Sequence, residues 1–339
     1  MQKRVLVGKT LSELKQLAQE LKMPAFTGKQ IAEWLYEKRV TDFSAMTNIS
    51  KQNREKLSEE CSVGVVPPVH QVVSEDGTEK YLFALSDGYN IETVYIPDRE
   101  RATLCVSSQV GCKMNCLFCM TGKQGFQRNL TPAEIMNQIL AVPHSQELTN
   151  IVFMGMGEPT DNLDSVLSVI EILTSAWGMA WSPKRITLST VGIRKGVKRF
   201  LDESKCHLAV SLHAPDGRRA KYMPAEKAFP MSDMIAMLRE YDFSHQRRLS
   251  FEYIMLRGVN DSIEDAQKLS EVLKGLDCRV NLIRYHAIPG ISFQSSSDET
   301  IEAFRDELNK RGVVATIRLS RGEDVSAACG MLASQKGDK

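Results

Sequence analysis

The sequence predicts an α/β protein of parallel strands with helices packed outside them, on three observations. From residue 103 onward, short apolar runs alternate with stretches of helical period, the pattern of parallel strands covered by crossover helices. The 339 residues suffice for one large domain with a smaller attachment. The polar motifs fall at the ends of apolar runs, where α/β sheets and barrels carry their sites. Alternation alone leaves an open doubly wound sheet and an incomplete barrel both possible.

Residues 10 to about 60 read as helices. Thr10 is placed to cap the first, and Leu11, Leu14, Leu17 and Leu21 recur at helical spacing. Ile31, Trp34 and Leu35 repeat the habit in GKQIAEWLYEKRV. The period then changes. Asp76-Gly77 between two β-prone runs signals a hairpin. YNIETVYIP continues as a strand expected to stop at Pro97. Further strands are expected near 103–107, 150–155, 185–190, 207–212, 249–256, 279–285 and 313–318. Helices are expected near 131–142, 163–176, 193–202, 230–241, 262–275 and 299–311. No internal repeat or low-complexity segment is visible, and the tail SQKGDK is expected to fray. The chain therefore divides into a helical module (1–65), a β-hairpin extension (66–100) and an alternating β/α region (101–335).

Formal net charge is +1, so composition alone does not announce a nucleic-acid binder. Residues 184–221 hold ten basic and three acidic residues, the strongest local excess, and favour phosphate contacts; such a run is equally a solvated helix face. Lys3, Arg4, Lys9, Lys38 and Arg39 add charge to the first module. The start shows no apolar signal segment, and no stretch approaches the ~18 apolar residues of a membrane span. A cytoplasmic protein with no membrane partner is expected. Eight cysteines in a long chain, three of them clustered, favour a metal or catalytic site over a disulfide framework.

The cluster is CKMNCLFC. Cys112, Cys116 and Cys119 follow a C-x3-C-x2-C spacing, whereas ordinary zinc and iron–sulfur sites take four soft ligands. Three thiolates leave one iron of a 4Fe-4S cluster open to a small molecule that binds through its amine and carboxylate. The competing reading is zinc completed by a distant His or Cys. Phe118, between the last two cysteines, would shield a cluster from water. IVFMGMGEP ends an apolar run with Gly155, Gly157 and Glu158. Glycines allow close backbone approach to a ligand, and a strand-end glutamate can accept from an ammonium group; a turn with a capping acid is the plainer alternative.

The three-cysteine motif and the Gly-Glu-Pro motif resemble those of the radical S-adenosylmethionine (SAM) superfamily. ETVYIP (92–97), RATLCVSSQVGC (101–112), FMGMGEP (153–159), TLSTVGI (187–193), SLHAP (211–215) and AACG (327–330) narrow the resemblance to the RlmN/Cfr family of adenine methyltransferases. SSQVGC and GEP are closer to the RlmN branch, which methylates carbon 2 of adenine, than to the carbon-8 branch. The resemblance implies an incomplete (β/α)6 radical SAM barrel, a 4Fe-4S cluster and SAM as cofactors, and 23S rRNA as substrate with tRNA as a second. It also implies an electron donor such as flavodoxin or ferredoxin and a monomeric enzyme.

Carried onto this sequence, Cys112, Cys116 and Cys119 bind the cluster. Cys329 carries the methyl group as S-methylcysteine, Cys105 resolves the adduct through a transient disulfide, and Glu92 accepts the ring proton. Gly157, Glu158, Ser189, Ser211, Leu212 and His213 contact SAM. His286 stands where relatives often have asparagine, and a neutral imidazole offers one donor and one acceptor in a different geometry. Without the resemblance, Cys329 and Cys105 read as buried core cysteines, Glu92 as a solvated strand face and His213 as a satisfied core histidine. Cys61, Cys206 and Cys278 match no motif. A radical SAM enzyme of another class and a non-catalytic metal-bearing RNA-binding module remain alternatives.

Overall fold

The computed structural model describes residues 3–244 and 247–333; the tail SQKGDK lies outside them. The N-terminal module begins with β1 (Arg4–Val5), followed by α1 (Leu11–Glu20), α2 (Thr27–Ala32) and α3 (Lys51–Glu60). Thr10 and Glu13 form a reciprocal capping box, which satisfies two otherwise orphan amides of α1. Leu14, Leu17 and Ala18 form its buried stripe. β2 (Cys61–Ser62) returns to pair in parallel with β1. Two-residue strands carry no readable period, so this pairing was not legible in the sequence.

β3 (His70–Val73), β4 (Glu79–Ala84) and β5 (Asn90–Asp98) form an antiparallel meander. Its first turn is the expected one at Asp76-Gly77. Gly77 sits at φ +82°, and Asp76 accepts the Thr78 amide at 2.9 Å. β5 runs past Pro97, where a stop was expected. The pairing with β4 ends at Glu79 opposite Tyr95, so beyond Tyr95 only β6 (Arg101–Cys105) borders the strand. A proline is tolerated where one side of the strand has no partner.

β7 (Gln109–Gly111), α4 (Met120–Lys123) and β8 (Phe126–Asn129) form a clip after β6, and the alternation begins with α5 (Pro132–Ala141). It continues through β9 (Asn150–Phe153), α6 (Leu163–Thr174), β10 (Ile186–Thr190), α7 (Arg194–Glu203), β11 (His207–Ser211) and α8 (Met231–Leu238). β12 (Leu249–Met255), α9 (Ile263–Leu273), β13 (Cys278–Arg284), α10 (Asp298–Lys310) and β14 (Val314–Ile317) complete it.

One sheet holds ten strands in the order β14-β13-β12-β11-β10-β9-β6-β5-β4-β3. The seven from β14 to β6 pair in parallel, each beside its neighbour in this series. A doubly wound sheet reverses its strand order at a switch point; this one does not. Six helices, α5 to α10, cross between the seven strands, so β14 is one strand more than six β/α units alone contain. Thr103, Val152, Thr187, Ser250, Asn281 and Thr316, from six different strands, line a single lumen. The sheet therefore curves into a partial barrel, with β14 and β3 at its two edges. Every residue of β12 is buried, although Ser250 and Glu252 line the lumen.

Candidate active site

The cysteine loop follows β7 rather than the end of β6. The clip holds its start, where the Cys112 amide donates to Gly125 O at 3.0 Å, and the segment after β11 holds its middle, where the Leu117 amide donates to Tyr222 O at 2.9 Å. Gly111 has to be glycine, since a Cβ there would fall 1.8 Å from Gly125 O at φ +72°. Cys112 and Cys116 are buried and Cys119 is half-buried. Burial pushes the Cys112 thiol up to about 12 and the Cys116 thiol well above its ordinary value, with the other two sulfurs adding to the Cys116 shift. Thiolates crowded into a dry site need a cation to hold them ionised.

The three cysteines line a cavity of about 160 Å³. Gly155, Gly157, Glu158, Ser189, Ser211 and His213 line it too, so strand ends far apart in sequence meet the cysteine loop. Gly157 has φ +100°, and a Cβ would stand 2.5 Å from that of Gln109. Gln109 in turn accepts the Glu158 amide at 2.8 Å. The Glu158 carboxylate is buried and well supplied with donors. Oε1 accepts the Thr160 amide, the Thr160 hydroxyl and the Thr190 hydroxyl at 3.1, 2.5 and 2.7 Å; Oε2 accepts the Val191 amide at 2.8 Å. Burial raises its pKa, and these bonds oppose the rise. Only Oε2 keeps ready capacity for an ammonium donor.

His213 accepts the Ile254 amide on Nδ1 at 3.0 Å, which puts the ring proton on Nε2. Burial, then the Arg219 charge, lowers its pKa to about 3, so the ring is neutral. Phe118 meets it edge-on at 4.8 Å and is buried on the cavity wall, where a shield was expected. Leu212 is in the core, outside the cavity lining; its amide donates to Glu252 O at 3.0 Å.

A second cavity, of about 910 Å³, is the barrel lumen, and Cys105 and His286 line it. Cys329 and Glu252 line both cavities and mark their junction. Cys329 is exposed where the two cavities meet. Burial raises its thiol pKa, and the Arg318 charge draws it back. The Cys105 thiol rises to about 12 through burial and the proximity of Cys329. Arg318 Nη1 lies 3.5 Å from Glu252 Oε2, while Asn281 Nδ2 donates to Glu252 Oε1 at 2.7 Å. His286 faces Ser320 at 3.2 Å and Glu323 at 3.2 Å. Glu92 is in neither lining: Lys80 Nζ lies 3.0 Å from its Oε1, and the Ala333 amide donates to Oε2 at 2.8 Å.

Three residues of the site escaped sequence reasoning. Glu252 and Arg318 sit in runs without a motif. Arg219 belongs to the basic run expected to meet phosphate, yet it is fully buried. It donates to Glu226, Val191 O and Ser211 O at 2.6, 2.6 and 2.8 Å, and its charge lies near Cys116. Much of the rest of that run is internally paired. Lys198 and Arg199 meet Asp202, Glu203 and Asp164, and Arg218 meets Asp216 and Asp265. Besides Arg318, six basic side chains line the lumen, Arg101, Lys184, Arg247, Arg248, Arg279 and Arg321, and of these only Lys184 belongs to that run. Their field, after burial, helps to lower the His207 pKa to about 4.

Residues 106–269 match the Radical SAM superfamily, and residues 5–63 match the ribosomal RNA large subunit methyltransferase N-terminal domain. A probable dual-specificity RNA methyltransferase RlmN of Bacteroides fragilis is 57% identical over 100% of this chain and 99% of its own length. The chain belongs to the RlmN family of radical SAM methyltransferases. A second member, from Desulfotalea psychrophila, is 42% identical over 96% of the chain and 94% of its own length. The crystal structure of a radical SAM methyltransferase from Sphaerobacter thermophilus superposes with TM-score 0.91 at 41% identity, covering 97% of this chain and 99% of that one. The RlmN/Cfr resemblance read from the motifs is thus borne out, as is the radical SAM fold. The family places both cavities in an enzyme.

Proposed function

We propose that the chain methylates carbon 2 of an adenine, in 23S rRNA and in tRNA, through an S-methyl group carried on Cys329. The observation that carries this reading is the position of Cys329, on the wall shared by the three-cysteine cavity and the lumen that holds Cys105. Carbon 2 is an electron-poor ring carbon and does not attack a sulfonium methyl, so the methyl must be staged on the protein.

The donor set fits a 4Fe-4S cluster. Three thiols line one cavity, while among the described residues no group of three or more His, Cys, Asp or Glu side chains gathers closely enough to hold a single metal ion. In a cluster each thiolate takes its own iron, which allows wider spacing. Cys112, Cys116 and Cys119 would hold the cluster, and Gly157, Glu158, Ser189, Ser211 and His213 would hold SAM. Together these cofactors supply a methyl cation equivalent and, after one-electron reduction, a hydrogen-abstracting radical. Flavodoxin or ferredoxin is the class of donor that fits the reduction.

Cys329 accepts the methyl and presents it to the base. Arg318 stabilises its thiolate before transfer. Once the carrier carbon is joined to carbon 2, Cys105 attacks the Cys329 sulfur. The S–S bond forms as the bond from that sulfur to the bridging methylene breaks. The ring proton leaves, the methylene takes up a proton to become the methyl of the product, and the one surplus electron would return to the cofactor. His213 offers a fixed Nε2–H into the SAM cavity. The basic lining of the lumen draws in the phosphates that flank a flipped-out adenine. His286 grips the Cys329 segment from the lumen side. Of the three parts, 1–65, 66–100 and 101–335, the first is read as an RNA-contact module, supported by its match to a ribosomal RNA methyltransferase N-terminal domain.

The test is anaerobic reconstitution with iron, sulfide, SAM and a reductant. The reading expects 5′-deoxyadenosine together with 2-methyladenosine in both RNAs, identified by chromatography against standards. 8-Methyladenosine would move the chain to the carbon-8 activity. No 5′-deoxyadenosine at all would overturn the reading.

A further inference from the structure

Residues 318–333 form a strap that carries Cys329 and contains neither helix nor strand. It is fastened at both ends to rigid elements. Before Cys329, Asp76 accepts the Gly322 amide at 3.0 Å, Ser74 Oγ donates to Asp324 at 2.5 Å, and Lys80 Nζ donates to Ser326 O at 3.4 Å. After it, the Met120 amide donates to Gly330 O at 2.8 Å, Thr121 Oγ1 to Leu332 O at 2.7 Å, and the Ala333 amide to Glu92 Oε2 at 2.8 Å.

Two of these fastenings are one device. Lys80 holds the strap before Cys329, Glu92 holds it after, and the two side chains pair with each other at 3.0 Å. The register explains the meeting: Leu82 lies opposite Glu92 and Lys80 opposite Val94, so Lys80 and Glu92 are diagonal neighbours on one face of β4 and β5. Both are largely buried, which makes each depend on the other for charge compensation.

We propose that the Lys80–Glu92 pair is a positioning clamp that sets where Cys329 stands between the two cavities, and that Glu92 acts on the reaction through this clamp. The proposal rests on the reading of Cys329 as methyl carrier. In each turnover that sulfur meets the methyl donor on one side, then the base and Cys105 on the other. A loop tethered at both ends to a sheet has a short arc, and the reaction needs the sulfur held within that arc. Glu92 lines neither cavity, so its carboxylate reaches a ring proton only if the strap moves.

The test uses the full chain with reconstituted cluster and compares Lys80→Met, Lys80→Arg, Glu92→Gln and Asp324→Asn. The readouts are 5′-deoxyadenosine formed per methyladenine, amide hydrogen exchange across 322–333, and the pH profile. The clamp expects Lys80→Met and Glu92→Gln alike to waste about tenfold more SAM per product, to speed exchange in the strap and to leave the pH profile in place. Lys80→Arg restores coupling. Asp324→Asn loosens the strap from its exposed fastening and leaves the buried pair intact, so its smaller loss of coupling is readable even if Lys80→Met folds poorly. Wild-type coupling and exchange in both Lys80→Met and Asp324→Asn would overturn the clamp. So would a changed pH profile in Glu92→Gln alone, which would mark a proton acceptor. A wild-type enzyme that makes product without S-methyl-Cys329 would overturn the carrier reading itself, and the clamp with it.

Discussion

Cys329 and Cys105 share a lumen but stand in different surroundings, and the roles proposed for them separate accordingly. Arg318 and access to the three-cysteine cavity suit Cys329 to the proposed methyl transfer; Cys105, buried in the lumen wall, suits the proposed attack on a sulfur brought to it. Cys105→Ala is therefore expected to stop after the base is attached, so a slow-migrating protein–RNA species should build up on denaturing gels. Cys329→Ala is expected to show neither methylated RNA nor that species. His213 allows a pH prediction with a definite sign. Its folded pKa of about 3 lies below its ordinary value of 6.5, so between these values the unfolded chain binds more protons. Stability contributed by the neutral ring is full above pH 6.5 and is lost as pH falls, by about 1 kcal/mol per pH unit. Urea midpoints at pH 7 and pH 5 should differ less in His213→Gln than in the parent.

At the scale of elements, the glycine turn after β9 and the central strand β12 invite separate tests. Gly157→Ala adds a Cβ at positive φ against Gln109. A strain of about 1–3 kcal/mol predicts SAM binding weakened by roughly five- to 150-fold, read by equilibrium dialysis, with the fold retained. Phe251 on β12 is fully buried, and Phe251→Ala should cost about 3–5 kcal/mol in urea unfolding. The barrel strands and helices were legible to within about three residues, because each strand brings a short apolar face to the core and an amphipathic helix repeats its period. The cysteine loop and Gly-Glu-Pro turn were legible because their chemistry depends on spacing. The strap was not: Asp76 and Gly322, or Thr121 and Leu332, meet across most of the chain, and no local pattern announces such a bond. Arg219 misled for a related reason, since its charge was visible but its buried partners were not.

Across the whole molecule, a nearly neutral chain concentrates positive charge on the wall of its lumen, and this lumen leads to the two thiols. Replacing Arg247, Arg248 or Arg279 by alanine should weaken RNA binding similarly for both RNAs and lower the slope of log affinity against log salt by about one per lost phosphate contact, as read by filter binding. SAM cleavage without RNA should be unchanged. The joining of two cavities at one sulfur is the feature on which the chemistry turns. The most direct measurement is mass spectrometry of the Cys329 peptide after anaerobic expression or reconstitution with methyl-labelled SAM. That peptide should be heavier by one methyl group, and the label should pass to RNA when substrate is added. An unmodified Cys329 in a preparation that methylates RNA at full rate would contradict it.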